Sequence, residues 1–313
     1  MNHEKPRIEF YRQRTFSEKM NAIFEFIREN WKPLLKYSFY LIMPVCLIQT
    51  FATNAFFNTY INLVTKTVGG GYSFNSSMYS VIANYGIMMF CIIIGGAIMS
   101  GMIYAMMQTY ATRENRLKDV TLNDFKEAFT KNTWKYIRVI LSIMFAYIFI
   151  VFTMAFMAYI STMTLIITIP IFIALVILFI PLMMIIPVYI FERDITFGAA
   201  FKKAWKLGTA TLWGMLGLMI VLYIISSVIQ TVTMLPWYLT LIIGSLFSSL
   251  SESTINQSFI YKFAVYILGL IQSFGAYVSM IIGIIGLAFQ YFHAREKIEG
   301  ITIESNISNF DEL

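Results

Sequence analysis

The chain has 313 residues, of which 58% are hydrophobic and only 13% are charged, against about 25% charged in an ordinary soluble domain. This composition excludes a soluble globular protein and indicates a membrane protein. The net charge of +6 would suit nucleic-acid binding, but the basic residues lie in short segments between apolar runs, so we expect no nucleic-acid partner. The first 33 residues lack the apolar core and the cleavage site of a signal peptide, so none is expected.

Six apolar segments are long enough to cross the hydrocarbon core of a bilayer, which takes about 20 helical residues. Backbone groups must be paired inside lipid, so these segments are predicted to be helices and the fold class to be all-α integral membrane. In chain order the predicted spans are 34–57, 84–107, 137–160, 165–190, 213–235 and 263–290. Kinks are predicted at Pro44, Pro170, Pro181 and Pro187.

Lysine and arginine are distributed very unevenly between the two sets of loops. Of the 23 such residues, 21 lie before the first span, after the last span, or in the two loops on the same side; only Lys66 and Lys262 lie on the other side. Because cytoplasmic loops carry an excess of Lys and Arg, both termini are predicted to be cytoplasmic. The uncharged turn "STMT" at 161–164 predicts a tight hairpin on the opposite side.

Three polar segments share one pattern, which predicts a repeated unit. Thr15, Thr121 and Thr196 each precede apolar residues spaced by three or four, as in a short amphipathic helix with a Thr N-cap. The first two are followed three residues later by an acid, as in a capping box, whereas Thr196 is not. Each stripe ends near a Trp and leads into a helical hairpin. The predicted units are 15–114, 121–192 and 196–296, followed by a cytoplasmic tail at 297–313.

Each predicted unit ends with a Tyr and a Glu. The pairs are Tyr110 and Glu114, Tyr189 and Glu192, and Tyr291 and Glu296. Two interpretations stay open for the glutamates. They could form a ring of three carboxylates at the inner mouth of a pathway, or they could be ordinary helix-end charges, solvated or paired with a neighbouring arginine.

The third amphipathic segment carries the candidate lipid-contact residues: Lys202, Lys203, Lys206, Trp205 and Trp213. Lysine side chains suit anionic headgroups, and Trp favours the membrane interface. The amphipathic segments could equally serve as elbows that orient the spans, and the two roles are compatible.

No catalytic or metal site is predicted, and no cofactor is expected. Cys46 and Cys91 lie in different apolar runs, and the only histidines are His3 and His293, so a tetrahedral site is not expected. The segment "GGGYS" at 69–73 lacks the Lys-Ser/Thr ending of a phosphate-binding loop. No Asp, Glu, Lys or Arg lies in the middle third of a predicted span, where ion-coupled carriers usually place one. The chain is therefore predicted not to be an enzyme.

Mild polar side chains occur within three of the spans: Gln49, Thr50, Asn54, Ser226, Ser227, Gln230, Gln272 and Ser273. We expect them to make interhelical hydrogen bonds worth roughly 0.6–2 kcal/mol each. A polar cavity lined by Gln49, Gln230 and Gln272 would instead favour a permease.

Small residues are expected to mark close helix contacts. Small-xxx-small steps occur around Gly95 and Gly101, and a small-residue stripe begins at Gly275.

One apolar segment does not fit the six-span pattern. Segment 236–250, "PWYLTLIIGSLFSSL", is apolar but too short to span. It is predicted to be an interfacial helix or a re-entrant segment, with the interfacial helix preferred.

Residues 192–219, "ERDITFGAAFKKAWKLGTATLWGMLGLM", resemble the signature of the integral membrane region fused to some bacterial glycerophosphodiester phosphodiesterases. That region also occurs alone in uncharacterised membrane proteins, and "RTFSEKMNAIFEFIRENWKPLLK" and "QYFHAREKIEG" resemble such stand-alone relatives. The matching residues are Glu192, Ile195, Thr196, Ala200, Phe201, Lys202, Trp205 and Trp213. The resemblance implies a six-span bacterial membrane protein with no agreed activity. It carries no catalysis over, because the phosphodiesterase domain would be a separate soluble barrel.

The expected function is a non-catalytic component of the bacterial cytoplasmic membrane that binds membrane lipids or a membrane or cytoplasmic protein partner. The alternative is a permease for a lipophilic or small uncoupled solute. A membrane-embedded lipid-modifying enzyme is the third hypothesis, and the missing catalytic constellation counts against it.

Overall fold

A computed structural model describes residues 6–68, 74–160, 165–192, 194–250 and 258–301. Within these ranges the chain is almost entirely helical and contains no strand. Its helices are α1 (Phe16–Val68), α2 (Phe74–Thr112), α3 (Leu122–Ile160), α4 (Leu165–Leu182), α5 (Ile185–Phe191), α6 (Phe197–Ala210), α7 (Leu212–Leu250) and α8 (Phe259–Glu299). The predicted turn at 161–164, the Gly-rich segment at 69–73 and residues 302–313 of the tail lie outside the described residues.

Six helical stretches of the described residues are long and apolar enough to cross a membrane. They are Phe16–Ile61, Met78–Thr112, Leu122–Met157, Pro170–Phe191, Leu212–Gly244 and Phe259–Glu299. The prediction of an all-α, six-span protein is confirmed at this level, and these helices support a multi-pass membrane protein. The first and third spans are longer than predicted, because α1 and α3 also include the amphipathic segments that precede them.

The chain packs as two compact units. Unit 1 contains Met1–Trp31, Ser100–Tyr223 and Ile282–Leu313. Unit 2 contains Lys32–Met99 and Ile224–Ile281. Each unit combines segments that are far apart in sequence, because the long helices α1, α2, α7 and α8 each contribute residues to both units.

The predicted threonine cap is present at Thr15 and Thr196, whereas at Thr121 only the acid half of the capping box forms, because the N–H of Asp124 donates to the Thr121 backbone carbonyl. All three amphipathic segments lie in unit 1. The backbone N–H of Thr15 donates to Glu18 Oε2 at 2.7 Å, and the N–H of Glu18 donates back to Thr15 Oγ1 at 3.4 Å. The N–H of Thr121 likewise donates to Asp124 Oδ2 at 2.7 Å. Thr196, which has no acid partner, accepts from the N–H of Ala199 on its hydroxyl at 3.4 Å.

Proline explains the break between α4 and α5, and a second proline explains the irregularity in α1. Pro187 cannot donate to the carbonyl of Met183, and its ring crowds that carbonyl, so the α-helix is interrupted at Met183 and Met184. In the same way, Pro33 frees the carbonyl of Glu29, and the next residue, Asn30, has the non-helical angles φ −116° and ψ 17°. At Pro44, where a kink was predicted, the backbone stays helical.

Unit 1 has an aromatic core. Its largest fully buried side chains include Tyr104, Tyr110, Tyr291, Phe26, Phe125, Phe289 and Phe292. The short helix α6 packs against both α4 and α5, and α3 also packs against these two helices. Gly208 of α6 lies directly on the backbone of Pro181, since a Cβ at this position would overlap the Pro181 carbonyl.

In unit 2, segment 236–250 is the continuation of α7, so the prediction of a separate interfacial or re-entrant segment was wrong. Pro236 lies inside the helix, as membrane helices allow where neighbouring helices or Ser and Thr side chains satisfy the backbone groups that the proline leaves unpaired. The segment is anchored by Trp237, whose indole N–H donates to Asn54 at 2.9 Å, and by the Tyr261 hydroxyl, which donates to the carbonyl of Thr240 at 3.1 Å.

The expectation of interhelical hydrogen bonds is confirmed in unit 2 for Gln49, Thr50, Asn54 and Ser273, whereas Ser227 donates to the Ile224 carbonyl of its own helix. The Tyr277 hydroxyl donates to the Gln49 side chain and lies 3.0 Å from the carbonyl of Cys91. The Thr50 hydroxyl donates to Ser273 at 3.2 Å. Of the three glutamines proposed to line a cavity, Gln49 is buried in this network and Gln230 is exposed.

Close helix contacts occur at the predicted small residues within each unit. A Cβ at Gly95 would overlap the ring of Tyr277 in unit 2, and one at Gly275 would overlap Thr233. In unit 1 a Cβ at Gly101 would overlap the Thr133 hydroxyl. The helices that these glycines contact therefore belong to the same chain.

Candidate functional site

The main cluster of charge in unit 1 is an ion-pair network of four residues at the ends of α5 and α8 and on α6. Lys203 Nζ lies 2.5 Å from Glu192 Oε1 and 2.9 Å from Glu299 Oε1. Arg295 Nε lies 2.8 Å from Glu299 Oε2 and 3.5 Å from Glu192 Oε1. All four side chains are largely buried. Two carboxylates and two cations therefore compensate one another and fix α6 against α5 and α8.

Two tyrosines extend this ion-pair network. The Tyr291 hydroxyl donates to Glu192 Oε1 at 3.3 Å and accepts from Arg295 Nη1 at 3.2 Å. The Arg295 guanidinium also lies over the rings of Tyr11 and Tyr291, at 5.7 and 5.8 Å from their centroids. Burial raises the pKa of Tyr11, so its hydroxyl stays neutral beside the network.

The residues before α1 form an ordered segment, here called the N-terminal segment (residues 6–15). Phe10 inserts between aromatic side chains and stacks on Phe292 at a centroid distance of 5.0 Å and on Tyr110 at 5.7 Å. The Arg14 guanidinium donates to the carbonyls of Glu9 and Phe10, and the Arg14 backbone N–H donates to His293 Nδ1 at 3.0 Å. The segment thereby contacts α1, α2 and α8.

The other two predicted tyrosines also have defined roles in unit 1. Tyr110 donates to Glu29 at 3.1 Å and accepts from the N–H of Ile8 at 3.3 Å. The ammonium of Lys135 lies 5.0 Å from the ring centroid of Tyr189 and donates to the Tyr189 carbonyl. Both tyrosines are buried at the end of a helix.

The three predicted glutamates have three different environments. Glu192 is a member of the ion-pair network. Its neighbour Arg193, the arginine expected to pair with it, lies outside the described residues. Glu114 is exposed in the turn between α2 and α3, whereas Glu296 is buried. The positions that correspond in the predicted repeat therefore do not share one chemical role.

Helix α6 separates the predicted lipid-contact residues into two groups. Lys202, Trp205 and Lys206 are exposed, together with Phe201. Lys203 instead faces the ion-pair network. Trp213, in the first turn of α7, has 83% of its surface exposed.

Sequence analysis did not identify Glu299 or the N-terminal segment, and it considered Arg295 only as the neighbour of Glu296, not as a partner of Glu192 and Glu299. Arg295 and Glu299 are four residues apart on a helix, which is a recognisable pairing distance, but nothing in the sequence places Lys203 beside them. It also missed three buried polar residues, Asn30, Asn132 and Thr211, which precede by one or two positions the tryptophans at the ends of the predicted amphipathic stripes. Each bonds to a carbonyl one turn earlier in its helix or to a side chain of a neighbouring helix.

Among the described residues, no group of three or more His, Cys, Asp or Glu side chains is placed to hold a metal ion. An apolar cleft of about 320 Å³ lies between α3 and α4. The cleft is lined by Ile143, Met144, Tyr147, Ile148, Ile150, Phe172 and Phe179. Compared with known proteins, the chain matches no family model, no curated protein and no solved structure.

Proposed function

We propose that this protein is a non-catalytic component of a bacterial cytoplasmic membrane that binds anionic lipid headgroups through the exposed face of α6. The observation that carries the proposal is the division of α6 into two faces. Ala200, Ala204 and Leu207 are buried on one face, while Lys202 and Lys206 lie exposed on the other beside two exposed aromatic side chains.

The order of residues around α6 suits a helix lying in the membrane interface. Phe201 and Trp205 are one turn apart and share a position on the helix surface. Lys202 follows Phe201 by one residue and Lys206 follows Trp205 by one residue. The two lysines therefore lie about 100° around the helix axis from the two aromatic residues. The aromatic pair can therefore enter the edge of the hydrocarbon while the lysine pair stays at headgroup level.

The proposed orientation follows from charge. Twenty-one of the 23 lysines and arginines lie on the side that carries α6 and both termini, so this side is assigned to the cytoplasm. Its anionic leaflet would attract Lys202 and Lys206. The helix starts at Thr15, Thr121 and Thr196 support, as part of the same proposal, three repeats of an amphipathic helix followed by a hairpin. We also propose that the chain is related to the membrane region associated with phosphodiesterases, which residues 192–219 resemble.

The test compares lipid retention by native mass spectrometry in mild detergent, with phosphatidylglycerol and phosphatidylcholine supplied in equal amounts. The double variant Lys202→Gln/Lys206→Gln should lose phosphatidylglycerol, since each surface lysine contributes about 1 kcal/mol and two correspond to roughly a 30-fold lower affinity. The control Lys126→Gln/Lys131→Gln removes the same charge from exposed positions on α3. Equal retention of phosphatidylglycerol by the two double variants would refute the assignment to α6.

A permease for a lipophilic solute is the second candidate, and the apolar cleft between α3 and α4 favours it. Its first requirement is that the cleft holds an apolar molecule in preference to bulk lipid. Filling the cleft with Ile143→Trp should remove such a molecule from the purified protein. Phe145→Trp, at an exposed neighbouring position, should leave it bound. If the wild-type protein retains no defined apolar molecule, this candidate fails.

A further inference from the structure

Lys19, on the first turns of α1, is a buried cation without a carboxylate partner among the described residues. Its residue surface is 4% exposed, and its Nζ donates to Gln290 Oε1 at 2.8 Å. An ammonium group carries three N–H donors, so one amide oxygen leaves it short of acceptors. A buried charge is costly unless it is paired and fully hydrogen-bonded, which makes this arrangement incomplete.

Gln290, on α8, adds unsatisfied donors at the same place. The residue is 0% exposed, and within the described part of the chain its Nε2 has no hydrogen-bond partner. Turning the amide over would not help, because it would direct the NH₂ group at the Lys19 ammonium. The position therefore has more buried N–H groups than oxygen atoms to receive them.

The next turns of α8 add one N–H donor, from His293, and one cation, Lys297. His293 accepts the N–H of Arg14 on Nδ1, so the imidazole proton lies on Nε2 as a further donor. His293 lies near three cationic side chains, those of Lys19, Lys297 and Arg14. Lys297 is exposed and takes no part in the ion-pair network of Lys203 and Arg295. Gln290, His293 and Lys297 are spaced by three and four residues and therefore share one face of α8.

The N-terminus of α7 lies beside this position. A Cβ on Gly214 would lie 3.7 Å from Lys19 Nζ, and Gly214 is exposed. The exposed backbone of Gly214 therefore lies beside the Lys19 ammonium, and no side chain at this position covers it. The first turn of a helix also has N–H groups without intrahelical acceptors and a partial positive charge. We call this constellation the basic niche (Lys19, Gln290, His293, Lys297 and Gly214); all of it belongs to unit 1.

We propose that the basic niche binds a phosphate group. A phosphate group supplies several strong acceptor oxygens and negative charge, and it has few donors. The N–H groups and cations of the niche need such acceptors and such charge. The group could belong to the headgroup of an anionic phospholipid or to a soluble phosphate, since both present the same oxygens. The proposal shares no residue with the α6 surface and does not depend on it.

The test measures the unfolding midpoint of the purified, delipidated full chain in a neutral detergent. Inorganic phosphate and micellar short-chain phosphatidylglycerol are titrated separately, against sodium chloride at matched ionic strength. One of the two phosphate sources should raise the midpoint above the chloride control. In Lys19→Met the concentration needed should increase by at least about tenfold, as expected for loss of a charge-assisted hydrogen bond. Lys19→Met should also unfold no earlier than wild type without ligand, because it removes an uncompensated buried charge.

A matched pair of glycine variants covers the case in which Lys19→Met fails to fold. Gly214→Ala places a methyl group beside Lys19 Nζ, whereas Gly217→Ala places one in open space one turn further along α7. Alanine favours a helix at both positions. Gly214→Ala should therefore weaken the response to the phosphate source, and Gly217→Ala should leave it at the wild-type value.

The outcomes identify the source of the phosphate, and they separate binding at the basic niche from binding at the α6 surface. A response to phosphatidylglycerol alone assigns the niche to a lipid headgroup, and a response to inorganic phosphate assigns it to a soluble anion. In either case the response should persist in Lys202→Gln/Lys206→Gln. A response no larger than that to chloride, or one that Lys19→Met and Gly214→Ala both leave unchanged, overturns the proposal.

Discussion

The packing of Phe10 predicts that one side chain holds the N-terminal segment in place. Phe10 is 9% exposed and contacts three rings closely: Phe292 and Tyr110 by stacking, and Phe289 edge-on with a centroid distance of 5.7 Å. Truncation of a buried Phe to Ala costs about 3–5 kcal/mol. Because Phe10 lies at the edge of the core, we take the lower value of about 3 kcal/mol for Phe10→Ala. That free energy corresponds to an increase of roughly 100-fold in the opening equilibrium of the segment.

Hydrogen exchange followed by mass spectrometry measures this opening directly. The amides of Ile8 and Arg14 are protected by Tyr110 and His293, respectively, so a peptide covering residues 6–15 should contain slowly exchanging sites. These sites should exchange about 100-fold faster in Phe10→Ala. The control is Phe16→Ala, the same substitution at a position that is 45% exposed. Unchanged exchange in Phe10→Ala, or an equal increase in Phe16→Ala, would refute the reasoning.

Three further substitutions test packing and charge, each by denaturation in mixed micelles. Glu192→Gln should lower the free energy of unfolding by about 1–3 kcal/mol, because it removes a carboxylate charge from two partly buried cations. Glu114→Gln, at an exposed position, should change that free energy by less than about 0.5 kcal/mol. Gly208→Ala should cost about 1–3 kcal/mol through overlap with the backbone of α4, whereas Gly217→Ala should stabilise by about 0.5–1 kcal/mol. Tyr277→Phe should cost roughly 1 kcal/mol by removing a buried interhelical hydroxyl, and no loss would mean that this hydrogen bond does not contribute to stability.

The helices and their starts were predictable because they depend on local sequence. Thr15, Thr121 and Thr196 each make a hydrogen bond at the start of a helix with the residue three positions later. The kink predicted at Pro187 corresponds to the break before α5, because a proline cannot donate a hydrogen bond to the carbonyl four residues earlier. Pro33 acts in the same way at Glu29, but it was overlooked because it precedes the first predicted span.

The charged cluster was not predictable in the same way, because its members meet only through tertiary packing. Lys203 and Glu299 are separated by 96 residues, and the N-terminal segment reaches residues of α8 that are farther still, such as Arg14 to His293. The extension of α7 through 236–250 was missed for a different reason. Its length of 15 residues and its proline argue against a separate span, but they do not forbid the continuation of a helix that already exists.

Two neighbouring lysines on α6 show why composition alone does not define a lipid-binding surface. Lys202 and Lys203 are equivalent in charge, but the rotation of about 100° between consecutive residues exposes the first and directs the second into the ion-pair network. Neutralising Lys203 would therefore alter the support of α6, whereas neutralising Lys202 would alter only its exposed charge. The network fixes which lysines of α6 face outward, because Lys203 is held at once by Glu192 from α5 and by Glu299 from α8. The lipid-binding face proposed for α6 thus depends on ion pairs made on its opposite face.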